Sequence, residues 1–549
     1  MSTGWLGARR GSTLNGADIG VGGEVLPPDP LCDRSAPNVF WTTTNIVEGF
    51  PGVVTPLTWT LWGPRMDVGS RRAYAKLGIL TRAEAAPDVP LEQRFSGIFF
   101  GRAALNVDVI RTVADRAPGT SGAAAEEQLL GNVRPEVVSR SSRRRLPAIA
   151  VRLPFMFLTE PRRVERFLVE QRAWWRAETS GSAPARPAAT RMAEAGQRLE
   201  DALARHSICS MIAVALLDQT ATLSEQAGQP HLQTLLNTGH GNVEEAALVV
   251  DLWELSRGRR TLNEVLADHG YHGSGELSLP SYRVAPEQLE AIAARYRSRP
   301  ESEAPQRLAA RQRGARLAAE RQVLAALPRR KRAGAKLLFR LAGRGIPLRE
   351  ASKACFVMAL DVARVVAADR YKELAAQGYL TEPADVFYLT VEELTGPDRN
   401  LRPLVAHRRA QTESYERMEL PASWYGQPDP GERQLGAAWV DRLDGIGVYA
   451  GIVEGPARVA TTVAEATALE PGEVLVCHTT DPSWASVFPL AGALVIDIGS
   501  SASHGAIVAR ELGIPCVINT GIGTQAVATG DTVRVDGAAG TVEVVGRAT

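Results

Sequence analysis

The chain has 549 residues, 45% of them hydrophobic, and a formal net charge of +1. That length suits roughly two to four domains with full cores, and the composition is that of an ordinary soluble globular protein. A charge so near zero excludes nucleic-acid binding by bulk electrostatics. No apolar run is long enough to predict a membrane span; SMIAVALLD at 210–218 is too short. The N-terminus lacks the apolar centre of a secretion signal. Five scattered cysteines (Cys32, Cys209, Cys355, Cys477, Cys516) fit unpaired thiols in a reducing cytoplasm.

In chain order, residues 1–35 are Gly-, Pro- and polar-rich and predict a flexible N-terminal segment. Residues 36–424 predict a mainly α-helical body. Its first stretch, WTTTNIVEGFPGVVTPLTWTLW (Trp41–Trp62), mixes flat apolar rings with Thr and Asn and an acid. A pocket for a hydroxylated organic molecule needs that mixture, and Trp41, Asn45, Glu48 and Thr55 are its candidate contacts. From Ala123 to Leu394, apolar residues recur at three- and four-residue spacing, as in 189–219, 288–299, 304–327 and 351–378. The basic runs at 140–145 and 329–332 read as solvated helix ends. His269, His272 and Glu276 share a Gly-rich loop, but their spacing falls short of a metal site, and none is predicted. EPADVFYLTVEEL (Glu382–Leu394) predicts a turn, a short strand and a new helix.

A Gly/Pro-rich link at 425–447 separates this body from a small α/β domain at 448–549, in which ARVATT, EVLVC, ALVID, CVIN, TVRVD and TVEVV are strand candidates. Within it, ALVIDIG followed by SASHGAIVARELGIP reads as a buried strand, a small-residue loop and a helix start. Ser503 is a good N-cap, and Gly513 and Pro515 close the helix. A helix N-terminus of this kind holds anions on its backbone N–H groups. A neutral imidazole there, His504, is a nucleophile suited to carrying a phosphoryl group.

The segments GIVEGPARV, PGEVLVCHTTDPSW, DIGSSASHGAIVARELGIPCV and GDTVRVDGAAGTV, between Gly451 and Val542, resemble the swivelling phosphohistidine domain of the phosphoenolpyruvate-synthase and dikinase group. In that group the histidine aligned with His504 accepts and donates the phosphoryl group, which implies catalytic roles for His504 and Ser503 and phosphate support from Gly505 and Ala506. Many members carry Thr where this chain has Ala502. Trp41–Trp62, GRAALNVD (Gly101–Asp108), DHGYHGSGELSL (Asp268–Leu279) and Glu382–Leu394 resemble the substrate-binding domain of the rifampin phosphotransferases. This resemblance adds Asn106, His272 and Glu276 to the substrate-binding candidates. The family pattern more often has Arg where His272 stands, and His272 is a candidate base for the acceptor hydroxyl. Arg349, Lys353 and Arg364 are cations that could meet phosphate, although a solvated face accounts for them as well.

Full members of the group also carry an ATP-grasp domain, and this sequence shows no Gly-rich phosphate loop with its lysine. The resemblance therefore implies a split enzyme, similar to the phenylphosphate synthases. A separate ATP-grasp protein would hold ATP and Mg²⁺, His504 would take the β-phosphoryl group, and a hydroxyl or enolate of a small organic molecule would receive it, the product being a stable ester or an intermediate activated for dehydration or condensation. Neither nucleic acid nor membrane is an expected partner. The alternative is a regulatory homologue that has lost transfer.

Overall fold

The computed structural model describes residues 27–118, 120–140, 142–181, 186–241, 244–432, 440–499 and 503–548. As expected, it comprises a mainly helical body followed by a small α/β domain.

Three long helices form the spine of the body: Leu146–Thr179, Ala188–Gln226 and Arg329–Ala376, with Pro56–Leu77 packed alongside. The last is longer than the expected 351–378 element. It spans 48 residues and runs through Pro347. A proline costs one backbone hydrogen bond and a local bend. Here the buried face on either side, from Phe339 and Leu348 to Met358, Leu360 and Val366, outweighs that loss. By length and composition Ala188–Gln226 could cross a membrane, which the sequence reading did not anticipate. It packs instead against Pro56–Leu77 and Arg329–Ala376, burying Met192, Leu199, Leu203, Ile208 and Ile212.

A four-stranded sheet caps one end of the body. Phe40–Thr42 lies between Arg102–Asn106 and Ser423–Tyr425, so the two ends of the body are stitched together. Part of the segment expected to be loose is tied in. Leu31 is buried, and its carbonyl accepts the N–H of Gly101 at 2.8 Å. Residues 1–26 lie outside the described residues. The short strand expected near Phe387 is a 3₁₀ turn, Pro383–Tyr388. Asp385 and Glu382 close it reciprocally with the backbone, which favours the turn over an extended run.

The small domain is built on parallel strands. Ile452–Ala460, Val474–Cys477, Ala493–Ile496 and Cys516–Ile518 run side by side, and antiparallel strands complete both edges. All six strand candidates form. The three inner strands are buried throughout, as their unbroken apolar runs require. Arg442–Asp444 and Ile446–Tyr449 already belong to this sheet, so its strands begin inside the stretch read as linker. Residues 433–439 of that stretch lie outside the described residues. Cys477 and Cys516 are buried, and burial pushes the Cys516 thiol up to about 12.

The two parts share a core. Trp253, Tyr282, Leu289 and Tyr296 of the body pack with Trp484, Phe488, Leu490 and Ile514 of the small domain. Polar contacts reinforce the seam. The hydroxyl of Tyr282 donates to the Ser483 carbonyl (2.7 Å) and that of Tyr296 to the Ser486 carbonyl (2.8 Å), while Arg295 Nε donates to the Thr467 carbonyl (2.7 Å).

Candidate active site

His504 opens the helix His504–Leu512, directly after the N-cap Ser503. The Ser503 hydroxyl accepts the N–H of Ala506 at 3.4 Å, and Gly513, at φ 70°, closes the other end. Gly505 lets the first turn press onto the sheet. A Cβ there would lie 2.4 Å from Ile496 Cδ1 and 2.9 Å from Thr480 Oγ1. Thr480, in the loop after Val474–Cys477, therefore comes within 3.4 Å of His504 Nδ1. The other ring nitrogen, Nε2, is buried and has no hydrogen-bond partner among the described residues.

The body faces this histidine with a mixed set of groups. The His504 N–H donates to Glu48 Oε2 at 3.2 Å, across the seam between the two parts. Glu48 sits in the short turn after Asn45, which holds φ at 66°, a left-handed conformation that asparagine tolerates better than most side chains. Lys353 and Arg349 lie one turn apart on the long helix, and their charges act on both His504 and Glu48. Burial first, then Lys353, Arg349 and His272, hold the His504 pKa well below the ordinary imidazole value. The ring is thus neutral and nucleophilic at physiological pH. Burial raises Glu48 to about 7, against the opposing pull of the His504 N–H, Lys353, Arg349 and Ser503. Lys353 is itself held between Glu245 (3.7 Å) and Glu350 (3.8 Å).

A cavity of about 170 Å³ opens beside this cluster, between body and small domain. Glu48, His272, Thr480, Asp481 and Trp484 are among its lining residues. Of the substrate-binding candidates, Glu48 and His272 face it. His272 is wholly buried, and neither ring nitrogen has a hydrogen-bond partner among the described residues. Burial, then the charges of His269, Lys353 and Arg172, keep its pKa well below the ordinary value. Asn45 lies beside the Glu48 turn, its Oδ1 buried and without a hydrogen-bond partner among the described residues.

The other candidates are occupied elsewhere. Trp41 is a core strand residue against Phe99, its Nε1 donating to Ser35 Oγ at 2.7 Å. Asn106 caps the helix Val107–Arg116. Thr55 and Thr58 both donate to Glu276 Oε1 at 2.7 Å, and the Thr55 N–H donates to Oε2 at 3.1 Å, so Glu276 staples the loop to the helix start instead of facing a ligand. His269 turns to Asp251 (2.8 Å), so it does not converge with His272 and Glu276. Ala506 is a core residue whose N–H is already given to Ser503, which removes it as a phosphate donor. Ala502 lies outside the described residues. Arg364 clamps the Gly-rich loop through the carbonyls of Leu277 (3.3 Å) and Glu276 (3.1 Å).

Lys353, Arg349 and Thr480 are the site residues least legible in the sequence. The four-residue spacing of the two cations was visible, but a solvated face shows the same spacing. Nothing local marks Thr480 as the residue that meets His504.

Residues 469–540 match the mobile domain of PEP-utilising enzymes, and residues 257–350 match the fourth domain of rifampicin phosphotransferase. An uncharacterised protein of Mycobacterium tuberculosis H37Rv is 36% identical over 214 residues, which is 38% of this chain and 25% of the relative. A rifampicin phosphotransferase of Streptomyces sviceus is 37% identical over 182 residues, 32% of this chain and 20% of that enzyme. The prodigiosin synthesizing transferase PigC of Serratia marcescens is 34% identical over 231 residues, 40% of this chain and 26% of PigC. The chain thus matches a quarter or so of these relatives' length. The likeness to the dikinase-like, PEP-utilising phosphotransferases is thus carried by residues 469–540 and 257–350.

Proposed function

We propose that this chain carries a phosphoryl group on His504 and delivers it to a small organic acceptor, as the phosphohistidine-carrying and acceptor-binding part of an ATP-dependent phosphotransferase. A separate ATP-grasp protein, holding ATP and Mg²⁺, is its loading partner in this reading. The observation that carries it is the buried Nε2 of the helix-opening His504, which has no hydrogen-bond partner among the described residues, beside a cavity lined by Glu48 and Thr480, the two residues that meet His504, and within reach of the charges of Lys353 and Arg349. Two of the relatives above are named rifampicin phosphotransferase and prodigiosin synthesizing transferase, and both names fit group transfer to an organic molecule.

The residues divide the work as follows. Thr480 accepts the Nδ1 hydrogen of His504, which leaves the lone pair on Nε2 for phosphorus. After loading, the P–Nε2 bond breaks towards the ring, and neutral imidazole with its Nδ1 hydrogen is the leaving group. Lys353 and Arg349 offset charge on the phosphoryl oxygens beside the buried His504, where such pairing is stronger than in water. In the docked arrangement His504 is only 5% exposed. Loading from a partner therefore requires the small domain to move away, and the docked form is the delivery state.

The test uses a candidate ATP-grasp protein and ATP labelled at the β-phosphate. Acid-labile, base-stable label is expected on the chain, to depend on the partner, and to vanish in His504→Ala. A His504→Ala variant that transfers as well as the parent would remove the mechanism. An active partner that leaves the parent unlabelled would favour a regulatory protein.

A further inference from the structure

The cavity wall narrows the chemistry of the acceptor. At about 170 Å³ the cavity is below the roughly 300 Å³ at which drug-sized sites begin. The closed form therefore has no room for an antibiotic-sized molecule. Pro51, Leu279, Val463 and Trp484 give it apolar sides. Tyr282 lines it too, with its hydroxyl given to the Ser483 carbonyl, and its remaining ionisable lining groups are Glu48, His272 and Asp481. An anionic acceptor, such as an enolate or a carboxylate, would lie against two acids, with the nearby cations already committed to the phosphoryl group. A neutral hydroxyl suits this wall, but it must lose its proton to something.

The three lining groups are not equal as bases. Asp481 is spent on the turn it caps, with Oδ1 taking the Ser483 N–H at 2.9 Å and the Ser483 hydroxyl as well. His272 is enclosed and faces cations, so its protonated form is strongly disfavoured. Glu48 is different. One carboxylate oxygen is anchored on the N–H of His504, the residue that would carry the phosphoryl group. The other, Oε1, is buried and has no hydrogen-bond partner among the described residues. The groups facing Glu48 are Lys353 and Arg349 from the long helix and Ser503 and His504 from the small domain, with His272 across the cavity.

We propose that the acceptor is a small neutral alcohol or phenol, and that Glu48 is the catalytic base that takes its hydroxyl proton. The inference rests on the carrier reading above. The O–H bond breaks and its proton passes to Glu48 Oε1. The hydroxyl oxygen's electron pair forms the new O–P bond, and the P–Nε2 pair returns to the imidazole of His504. Glu48 then releases its proton to solvent when the domains part. A carboxyl group with a pKa near 7 is well matched to such work at neutral pH.

The test loads the whole chain chemically with ³²P-labelled phosphoramidate, so that no partner is needed, with His504→Ala as background. Discharge is followed with phenol and ethylene glycol as probes and with pyruvate for comparison. In the parent, phenol or ethylene glycol should speed discharge and appear as its phosphate ester, while pyruvate should not. Glu48→Gln keeps a carbonyl for the His504 N–H. It should load as the parent does, discharge about 100-fold more slowly, and lose the inflection near pH 7. Glu48→Asp should recover part of the rate. The proposal is overturned if Glu48→Gln keeps the parental rate and pH profile, if pyruvate is as good an acceptor, or if neither hydroxyl probe speeds discharge. Failure to label His504 in any variant would instead overturn the carrier reading, and this inference with it.

Discussion

At the scale of single residues, the site is defined by what each polar atom is already doing. His504 Nδ1 is near Thr480 and Nε2 has no hydrogen-bond partner among the described residues, so in the proposed mechanism Thr480 selects which nitrogen reacts. Thr480→Val should slow labelling of His504 about tenfold without unfolding the chain, a loss checked by rapid-quench loading beside a thermal melt. Lys353→Met should slow discharge of the loaded histidine about 100-fold, because a preplaced charge beside the buried His504 is lost. The same substitution should raise the His504 pKa, which stays below its ordinary value because burial is the larger cause; an NMR titration reads this directly. Glu276, by contrast, holds structure. Glu276→Ala would leave the Thr55 N–H and one of the two mutually bonded Thr55 and Thr58 hydroxyls without an acceptor, costing about 1–3 kcal/mol per unsatisfied group and lowering the melting temperature. Ser503 and His504 were legible in the sequence because a cap and a helix start are local patterns. Glu276 and Trp41 were misplaced because residue type alone does not tell a polar staple or a strand core from a pocket wall.

At the scale of elements, two features set the geometry of the site. One is the close approach of the helix His504–Leu512 to the sheet, which glycine at 505 permits. Gly505→Ala brings a Cβ against Ile496 and Thr480. The Ile496 tip can turn away, but Thr480 Oγ1 sits on a short branch. The helix start should therefore shift, at a cost of about 1–3 kcal/mol, and the His504–Thr480 contact should lengthen. A chemical denaturation midpoint measures the first effect, and the loading rate the second. The other feature is the 48-residue helix, which continues through Pro347 and so delivers Arg349 and Lys353 to the site on one face. The helical period over 351–378 was readable, and its upstream extension was not. Burial against Leu146–Thr179 and Ala188–Gln226 sustains the helix there, and those partners are distant in sequence.

At the scale of the whole molecule, docking of the small domain buries acids from both sides. Glu48 of the body accepts the His504 N–H, and Glu511 of the small domain accepts the Gly239 N–H at 3.1 Å. Burial raises each to about 7 from an ordinary value of 4.5. A carboxyl group whose pKa rises on docking binds its proton more tightly in the docked form. Docking should therefore be strongest below pH 4.5, weaken as pH rises through the interval to about 7, and change little above it. Small-angle scattering across this range would register the opening, and Glu511→Gln should flatten the response. Tyr282→Phe should also favour the open form by removing the hydroxyl that spans the seam.

The sequence by itself determined the two-part architecture, the six strands of the small domain, and a capped helix opening on His504, because periodicity, capping and turn chemistry act over a few residues. Only the tertiary structure decided which groups meet that histidine. Glu48 and Lys353 lie 456 and 151 residues from His504 in the sequence and are brought to it by the burial of Trp253, Tyr282 and Tyr296 against Trp484 and Phe488, while Thr480, 24 residues away, meets it where the helix presses onto the sheet at Gly505. Packing of that kind depends on the shape of whole surfaces, which no local pattern encodes.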